Sequence, residues 1–338
     1  MKVIRHKAAV LVCLLLVMVL SGACASSPGS QTQETTTQGA QEADSTTEEA
    51  PVVIGATLAS EDSTYIKSLE TYMQKEALSQ GAELKIEYAQ WDAQIQTQQI
   101  RTFIQEKVDV IIVCPVDAKS LLTPLKEAEK AEIPVINVNM RVDAISSIYV
   151  DSYVGASNSQ EATMAAELAI AYLGEEGGQI GIIEGAPGSD TQVYRTQTFV
   201  EQLASHPQIE VVAISGGKWE REQASLSAWD ILTKFPQLRL IYCHDSDLAL
   251  GASEQIEELG RDVAVIGIGE NEEYLQAVLD GKIYGLVTQP VSYEGQQAIL
   301  SAVNAAKGET LKPWYKDPIE VVTKENAAEV LASILSEN

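Results

Sequence analysis

The stretch VDVIIVCPVDAKSLLTPLKEAEKAEIPVINVN (Val108–Asn139) decides the fold class. It opens and closes on short runs rich in β-branched residues, and the segment between them has apolar residues at helical spacing. A continuous apolar run of this length is typical of a strand that is buried on both faces, as in a parallel sheet covered by helices. The stretch therefore predicts a strand, a crossover helix and a second, parallel strand.

The same alternation continues through the chain from Pro51 onward. Strands are predicted for the nine runs VVIGATL, ELKIEYA, VDVIIVC, PVINVN, QIGIIEG, IEVVAIS, LRLIYC, VAVIGIG and YGLVTQ. Because so many strands exceed one open sheet, we predict an α/β protein of two doubly wound, three-layer lobes with parallel sheets. A closed eight-unit barrel is the competing architecture. The segment SSIYVDSYVGASN (residues 146–158) favours two lobes, because we expect it to be an extended crossover from one lobe to the other, with no helix between it and PVINVN.

Composition excludes one class of partner. The chain has 338 residues and a formal net charge of −25, which is the balance of a folded, acidic protein. Lys2, Arg5 and Lys7 are the only charged residues before Cys24, so a chain without that leader would be more acidic still. Binding to nucleic acid needs clustered Lys and Arg, and we therefore expect no nucleic-acid partner.

The N-terminus predicts export. Residues 1–23 combine a basic start, an apolar run and small residues, which is typical of a signal peptide. A retained membrane anchor is the alternative, but the apolar run is short for a membrane span. Residues 25–50 contain no Val, Ile, Leu, Met or aromatic residue, so residues 24–50 are predicted to form a disordered tether.

The segment around Cys24 resembles a bacterial lipoprotein signal, in which that cysteine is lipidated and becomes the first mature residue. The chain has Ser21 where such signals usually have Leu. Alternatively, an ordinary signal peptidase reads the sequence ACA at residues 23–25 and releases a soluble protein. The expected location is thus the outer face of the cytoplasmic membrane, with a soluble secreted or periplasmic form as the alternative.

Cysteine and histidine usage argues against a metal or catalytic centre. Cys114 and Cys243 each end an apolar run, which favours two small buried hydrophobes over a disulfide. In IYCHDSDLALGA (Ile241–Ala252), His244 is expected at a strand tip, and Asp245 or Ser246 is a good N-cap for the following helix. A zinc site needs three or four ligands, so no metal and no cofactor are predicted.

The stretch WDAQIQTQQIRTFIQEKVDVIIVCPVDAKSLLTPLKEAEKAEIPVINVN (Trp91–Asn139), followed by HDSDLALGA and GLVTQP, resembles the sugar-binding proteins of bacterial ABC importers. These are the ribose- and galactose-binding group, with the type I periplasmic binding protein fold that the lactose-repressor family shares. The resemblance implies two lobes joined by a three-strand hinge. It assigns residues 51–156 and 290–318 to an N-terminal lobe, and residues 157–289 and 319–338 to a C-terminal lobe.

The resemblance also implies a ligand site. Tyr65 and Trp219 would stack on the two faces of a sugar ring. The Arg195 guanidinium would donate two hydrogen bonds to ligand oxygens, and the remaining residues would form hydrogen bonds with polar groups of the ligand. His244 stands where an asparagine is usual, which would add pH sensitivity near neutrality. The implied ligand-binding residues are Ser63, Tyr65, Asn139, Arg195, Trp219, His244, Asp245 and Gln289.

Two departures from the family pattern bear on the ligand. Gly269, followed by Glu270, stands where the family usually has an aspartate that forms hydrogen bonds with sugar hydroxyls. Cys114 stands where an asparagine is common in the family. Because unpaired buried hydroxyls cost about 1–3 kcal/mol each, these changes could redirect specificity to a deoxy, modified or charged ligand.

We therefore expect a non-enzymatic, lipid-anchored substrate-binding protein of an ABC importer. Its partners would be a small sugar-like ligand, a membrane permease and the membrane itself through the N-terminal lipid, and the protein would be a monomer. A sensory receptor for a histidine kinase or chemoreceptor is an alternative. A secreted hydrolase that uses His244 with Asp245 or Glu270 is a further one, although no carboxylate pair stands at a convincing spacing.

Overall fold

The computed structural model of the chain describes residues 50–337. The predicted signal peptide, Cys24 and all of the predicted tether before residue 50 lie outside the described residues. The described part contains two sheets of six strands, and helices flank each sheet. The predicted α/β class with two doubly wound lobes is confirmed.

The first lobe begins with strands and helices in strict alternation. A 3₁₀ turn (Ser146–Tyr149) precedes its fifth strand. The elements are β1 (Val53–Leu58), α1 (Thr64–Gln80), β2 (Glu83–Tyr88), α2 (Ala93–Glu106), β3 (Val110–Val113), α3 (Leu122–Lys130), β4 (Val135–Val138) and β5 (Ser152–Gly155).

The second lobe repeats this alternation. Its elements are α4 (Asn158–Leu173), β6 (Gly178–Glu184), α5 (Asp190–Leu203), β7 (Ile209–Gly216), α6 (Arg221–Lys234), β8 (Leu238–Cys243), α7 (Ser246–Glu258), β9 (Ala264–Ile268), α8 (Glu272–Leu279) and β10 (Gly285–Val287). The chain ends with α9 (Val291–Ala306), β11 (Trp314–Lys316), β12 (Val321–Thr323) and α10 (Ala327–Glu337).

The two sheets have the same strand order. The first is β2-β1-β3-β4-β5-β11 and the second is β7-β6-β8-β9-β10-β12. The paired strands of the described chain run parallel, except that β10 and β12 are antiparallel. In such sheets a ligand binds beyond the carboxyl ends of the strands, where the strand order reverses. These places are β1 with β3 in the first sheet and β6 with β8 in the second.

The chain passes between the sheets at three places. The first passage lies between β5 and α4, the second between β10 and α9, and the third between β11 and β12. Helix α9 packs on α1 and on strands β3 and β4, so it lies on the first sheet. The segments that join the lobes therefore lie beside the carboxyl ends of the strands.

Residues 146–158 were expected to be extended throughout, and this is wrong in their first part. Asp143 Oδ1 accepts a hydrogen bond from the Ser146 backbone N–H at 2.8 Å, which starts the 3₁₀ turn. The extended part is confined to β5, which pairs with β4 in the first sheet.

The deciding stretch forms the strand that its composition predicts. All four residues of β3 are buried, because helices cover both faces of the sheet. Cys114 and Cys243 are buried and free. Across residues 50–337, no helix combines the length and the apolar character needed to cross a membrane.

Candidate ligand-binding cleft

A cavity lies between the two lobes, beyond the carboxyl ends of strands from both sheets. Together with the open solvent at its mouth, the space between the protein atoms here amounts to about 400 Å³. Seven of the eight residues predicted from the sequence line it, and His244 does not. The lining residues are Ser63, Tyr65, Ile66, Trp91, Asn139, Met140, Thr191, Arg195, Trp219, Asp245 and Gln289.

Three aromatic side chains contribute to this lining, from Tyr65, Trp91 and Trp219. The hydroxyl oxygen of Tyr65 and the Nε1 atom of Trp219 are buried without a hydrogen-bond partner. Aromatic rings with a polar edge suit a ligand that offers both an apolar face and polar groups. Sequence reasoning missed Trp91, which lies in the turn that directly follows β2.

Three lining residues have an unusual backbone conformation. Trp91, Asn139 and Trp219 have φ angles of 57°, 60° and 64°, in the left-handed region that non-glycine residues rarely adopt. Such a conformation costs on the order of 1–3 kcal/mol and persists where the surroundings impose it, which is common at ligand sites. The strained positions thus coincide with the cavity.

Gly185 makes room for Trp219. A Cβ atom at position 185 would lie 1.9 Å from the Cη2 and Cζ2 atoms of the indole ring. Any side chain at this position would therefore displace the ring from the cavity wall. The end of β6, which is followed by Gly185, thus sets the position of the aromatic residue that follows β7.

Two lining residues also begin helices. Ser63 Oγ accepts from the Ile66 N–H at 3.4 Å and caps α1, and Asp245 Oδ1 accepts from the Leu248 N–H at 2.8 Å and caps α7. The predicted capping role of Asp245 is confirmed. Burial raises the pKa of Asp245 to about 7, and the nearby Asp247 carboxylate adds to this.

Arg195 lines the cavity but is held by protein groups. Its Nη2 atom lies 2.9 Å from Glu161 Oε2 and 3.0 Å from Gln289 Oε1. Its Nε also donates to Glu161 Oε2, and its Nη1 donates to the backbone oxygen of His244. Both Arg195 and Glu161 are buried, so this ion pair is internal. The guanidinium therefore links the residue after β8, helix α4 and the residue after β10 by hydrogen bonds. Few of its N–H groups remain available to a ligand.

His244 lies behind the cavity wall. Its side chain is fully buried, its Nδ1 accepts from the Gly185 N–H at 3.3 Å, and its Nε2 lies 3.1 Å from Thr196 Oγ1. Burial, with a contribution from Arg195, holds the pKa of His244 well below its ordinary value. The expected pH sensitivity near neutrality is therefore wrong for this imidazole, which stays neutral.

Glu294, which sequence reasoning missed, backs the cavity. Its Oε1 accepts from Gln289 Nε2 at 3.2 Å and from Asn139 Nδ2 at 3.5 Å, which orients both amides. Its Oε2 is buried without a hydrogen-bond partner. Burial raises the pKa of Glu294, and burial followed by the Glu294 carboxyl group raises the pKa of Tyr65.

Asp317 is a second buried carboxyl group beside Glu294. It lies on the passage between β11 and β12, and neither of its oxygens has a hydrogen-bond partner of good geometry. Burial, and then the charge of Glu294, raise the pKa of Asp317 to about 12. Two buried carboxyl groups side by side do not both ionise, so this pair retains a proton.

A sequence signal for the two missed glutamates does exist. Glu161 stands four residues after Ser157, the N-cap of α4, and Glu294 stands four residues after Pro290, the N-cap of α9. In α9 the buried residues Val291, Glu294, Ala298 and others follow helical spacing, so this glutamate falls on the apolar face. A carboxylate on such a face predicts a buried polar role.

Hydrogen bonds also cross between the lobes at the rim of the cavity. Asp190 Oδ1 accepts from the Arg141 backbone N–H of the first lobe at 2.8 Å, and its Oδ2 accepts from Asn158 Nδ2 within the second lobe at 2.8 Å. The Ala118 N–H lies 3.5 Å from the Gly188 oxygen. Asn158 is thus a structural residue, and the lobes are in contact around the cavity.

Two further positions depart from the family pattern, and neither of them is among the residues that line the cavity. Gly269 has φ 113°, a conformation that favours glycine, so an aspartate there would be strained. Burial raises the pKa of the Cys114 thiol to about 12, which makes it an inert group rather than a nucleophile. Among the described residues, no group of three or more His, Cys, Asp or Glu is arranged to hold a metal ion.

Comparison with known proteins agrees with this geometry. Residues 54–310 match the family described as periplasmic binding protein domain. The ribose import binding protein RbsB of Bacillus subtilis (strain 168) is 26% identical over 271 residues, which cover 80% of this chain and 87% of that protein. A xylitol-binding protein of Mycolicibacterium smegmatis is 29% identical over 279 residues, which cover 80% of this chain and 76% of that protein.

A solved structure has the same architecture. It is an ABC transporter solute-binding protein of Bacillus halodurans C-125 with bound myo-inositol, and it is 29% identical with a TM-score of 0.79. The match covers 85% of this chain and 99% of that one. These relatives bind solutes and are not enzymes, and the same holds for this chain. With three quarters of its length matched, the chain belongs to the periplasmic binding protein family.

Proposed function

We propose that the chain is the extracytoplasmic substrate-binding protein of an ABC importer and binds a monosaccharide or a related polyol between its lobes. One observation carries this proposal. Aromatic faces and polar groups that follow strands of both sheets line a single cavity. The names of the relatives, which refer to ribose, xylitol and myo-inositol, support a ligand of this class.

The lining residues divide into two proposed roles. Tyr65 and Trp219, together with Trp91, hold the apolar face of a ring, because stacked aromatic groups bury a large area at low entropic cost. Ser63, Asn139, Asp245 and Gln289 pair with ligand hydroxyls. Arg195 and His244 do not contact the ligand in this proposal. They form hydrogen bonds with Gln289 and with the backbone of Gly185, and so fix the position of the cavity wall.

The third element of the proposal is closure. Ligand binding would stabilise the arrangement in which the lobes touch, and the permease would recognise this form. The lobes would comprise residues 51–156 with 290–318 and residues 157–289 with 319–338. Residues 1–23 would direct export, and lipidated Cys24 with a tether of residues 24–50 would hold the protein at the membrane.

Calorimetry on the purified exported protein tests this function. The panel contains pentoses, hexoses, polyols and sugar acids, and we expect saturable binding at one site for at least one neutral member. Trp219→Ala should abolish or strongly weaken that binding. Trp229→Ala is the matched control, because Trp229 is half-exposed on α6 and does not line the cavity. Absence of binding across the panel would refute the proposal.

A separate experiment tests the anchor and the transporter. Metabolic labelling with a fatty acid should mark the wild-type chain and not Cys24→Ala. Affinity capture of the labelled protein in its native membrane, with the ligand present, should recover an ABC permease. Recovery of a histidine kinase or chemoreceptor instead would identify a sensory role.

A further inference from the structure

The groups in and behind the cavity have unequal charges. Arg195 is the one cationic residue among the lining residues. Against it stand the carboxyl groups of Glu161, Asp245, Glu294 and Asp317, of which Asp245 lines the cavity and the other three are buried. The cavity therefore has an excess of acidic groups.

Arg195 forms a direct ion pair with only one of these acids, Glu161, although its charge also acts on Asp245. Its guanidinium bonds with Glu161, Gln289 and the His244 backbone oxygen. The other nearby cation, Arg141, lies with its guanidinium carbon 4.0 Å from the ring centroids of both Tyr153 and Trp314, outside the cavity lining. Asp245, Glu294 and Asp317 are thus left without a cationic partner among the residues that line the cavity.

Independent observations point from this excess to a ligand. The Nε1 of Trp219 is buried without a hydrogen-bond partner, and the hydroxyl of Tyr65 and the Oε2 of Glu294, which interact with each other, have no partner of good geometry. Leaving a carboxylate uncompensated in a low-dielectric site is costly, and neutralisation by a proton or by a cation relieves that cost. Burial raises the pKa values of Asp245 and Asp317, which is the response expected of acids that lack a cation.

The aromatic residues favour the same kind of ligand. A cation over the face of Trp or Tyr is attracted by the ring quadrupole, and the attraction increases when the site is dry. Tyr65, Trp91 and Trp219 give three such rings to the cavity that the Asp245 carboxylate also lines. A rigid polyol ring with one charged substituent would use the rings and the carboxylate together.

We propose that the ligand is a sugar or polyol that carries a protonated amine, with Asp245 as the counter-ion of the ammonium group and the aromatic residues around it. This inference rests on the proposed function, because it narrows the ligand class of the same cavity. Sugars that carry a negative charge are excluded, because the cavity already has an excess of acidic groups.

Matched compounds on one skeleton test the inference by calorimetry. One series is D-glucose, D-glucosamine, N-acetyl-D-glucosamine and D-glucuronate, a second is the D-galactose counterpart, and a third pairs D-glucitol with D-glucamine. On a skeleton that binds, the amine should bind about 10- to 100-fold more tightly than the neutral compound, because a hydrogen bond to a charged group contributes about 1.5–3 kcal/mol. The N-acetyl compound should lose this gain, and the uronate should bind most weakly.

Asp245→Asn provides the decisive variant, because asparagine caps a helix as well as aspartate does and α7 should remain intact. The preference for the amine should fall to about onefold, and because the neutral compound is titrated into the same variant, any loss of hydroxyl pairing at position 245 cancels from this ratio. Glu294→Gln, a second variant, should reduce the preference in part. Asp230→Asn, which removes an exposed carboxylate on α6, should leave the preference unchanged.

The outcomes separate the two proposals. If neutral and amine compounds bind equally, or if Asp245→Asn leaves the ratio unchanged, the amine inference is wrong and the proposed function stands. Tight binding of the uronate would also overturn the inference alone. If no compound in these series and no member of the wider panel of pentoses, hexoses, polyols and sugar acids binds, both proposals are overturned.

Discussion

Arg195 Nη2 lies 2.9 Å from Glu161 Oε2, and both side chains are buried at the junction of the lobes. Removing one partner of such a pair leaves the other charge uncompensated in a dry environment. We expect Glu161→Ala to lower the free energy of unfolding by about 3–5 kcal/mol, as measured by urea denaturation.

The control for this variant is Glu176→Ala. Glu176 pairs with Arg239 at 3.3 Å, but its side chain is 87% exposed, so its loss should change stability by less than about 1 kcal/mol. Equal, small effects of the two substitutions would contradict the structural role of the buried pair.

The place of Trp219 in the cavity wall depends on Gly185. Gly185→Ala puts a methyl group 1.9 Å from the indole, and the ring must move. The expected result is a loss of about 1–3 kcal/mol in stability, which is typical of overpacking. Ligand affinity should fall about tenfold, since a stacked ring contributes on the order of 1 kcal/mol beyond its area.

Gly216→Ala is the matched control for that change, because an added Cβ at this position meets no atom within 4 Å. Calorimetric titrations of both variants with the same ligand make the comparison. Retention of full affinity by Gly185→Ala would show that Trp219 does not contact the ligand.

The fold was predictable because its signals are local. The run VIIV of β3 is apolar throughout since both faces are covered, and each strand is followed at short range by its helix. The doubly wound order then brings residues that directly follow strands, such as Asn139 and Asp245, to one cavity.

The details of the cavity depended on packing between distant segments. His244 follows β8 as expected, but the Gly185 N–H and Thr196 hold its ring behind the wall. Glu294 and Asp317 become neighbours only because two passages between the lobes run side by side. Such contacts between residues far apart in the chain have no local pattern.

The proton retained by the Glu294–Asp317 pair predicts a dependence of stability on pH. Asp317 has its pKa raised to about 12 in the folded chain, so unfolding releases a proton above the ordinary aspartate range. The contribution of this group to stability therefore decreases as pH rises, by up to about 1.4 kcal/mol per pH unit.

Urea denaturation at about pH 8 and about pH 9 measures this dependence, in a window above the pKa of about 7 that Asp245 has in the folded chain. The titratable groups that interact electrostatically with Asp317 are Glu294, Glu161, Glu270, Tyr65, Tyr153 and Tyr293. Asp317→Asn should show a smaller loss of stability across the window than the wild type. Asp230→Asn should behave as the wild type, and identical slopes for all three chains would exclude a retained proton.

The bond from the Arg141 N–H to Asp190 Oδ1 joins the two lobes at the rim, and Asp190→Ala removes it. A buried hydrogen bond contributes about 0.5–1.5 kcal/mol, so the closed form should lose stability and the ligand should dissociate about 2- to 10-fold faster in stopped-flow measurements. Asp143→Ala is the control, because Asp143 accepts from the Ser146 N–H within the first lobe alone. The control should leave the dissociation rate unchanged, because the contact that it removes lies inside one lobe and does not affect closure. Equal rates for Asp190→Ala and the wild type would mean that this rim contact does not hold the lobes together.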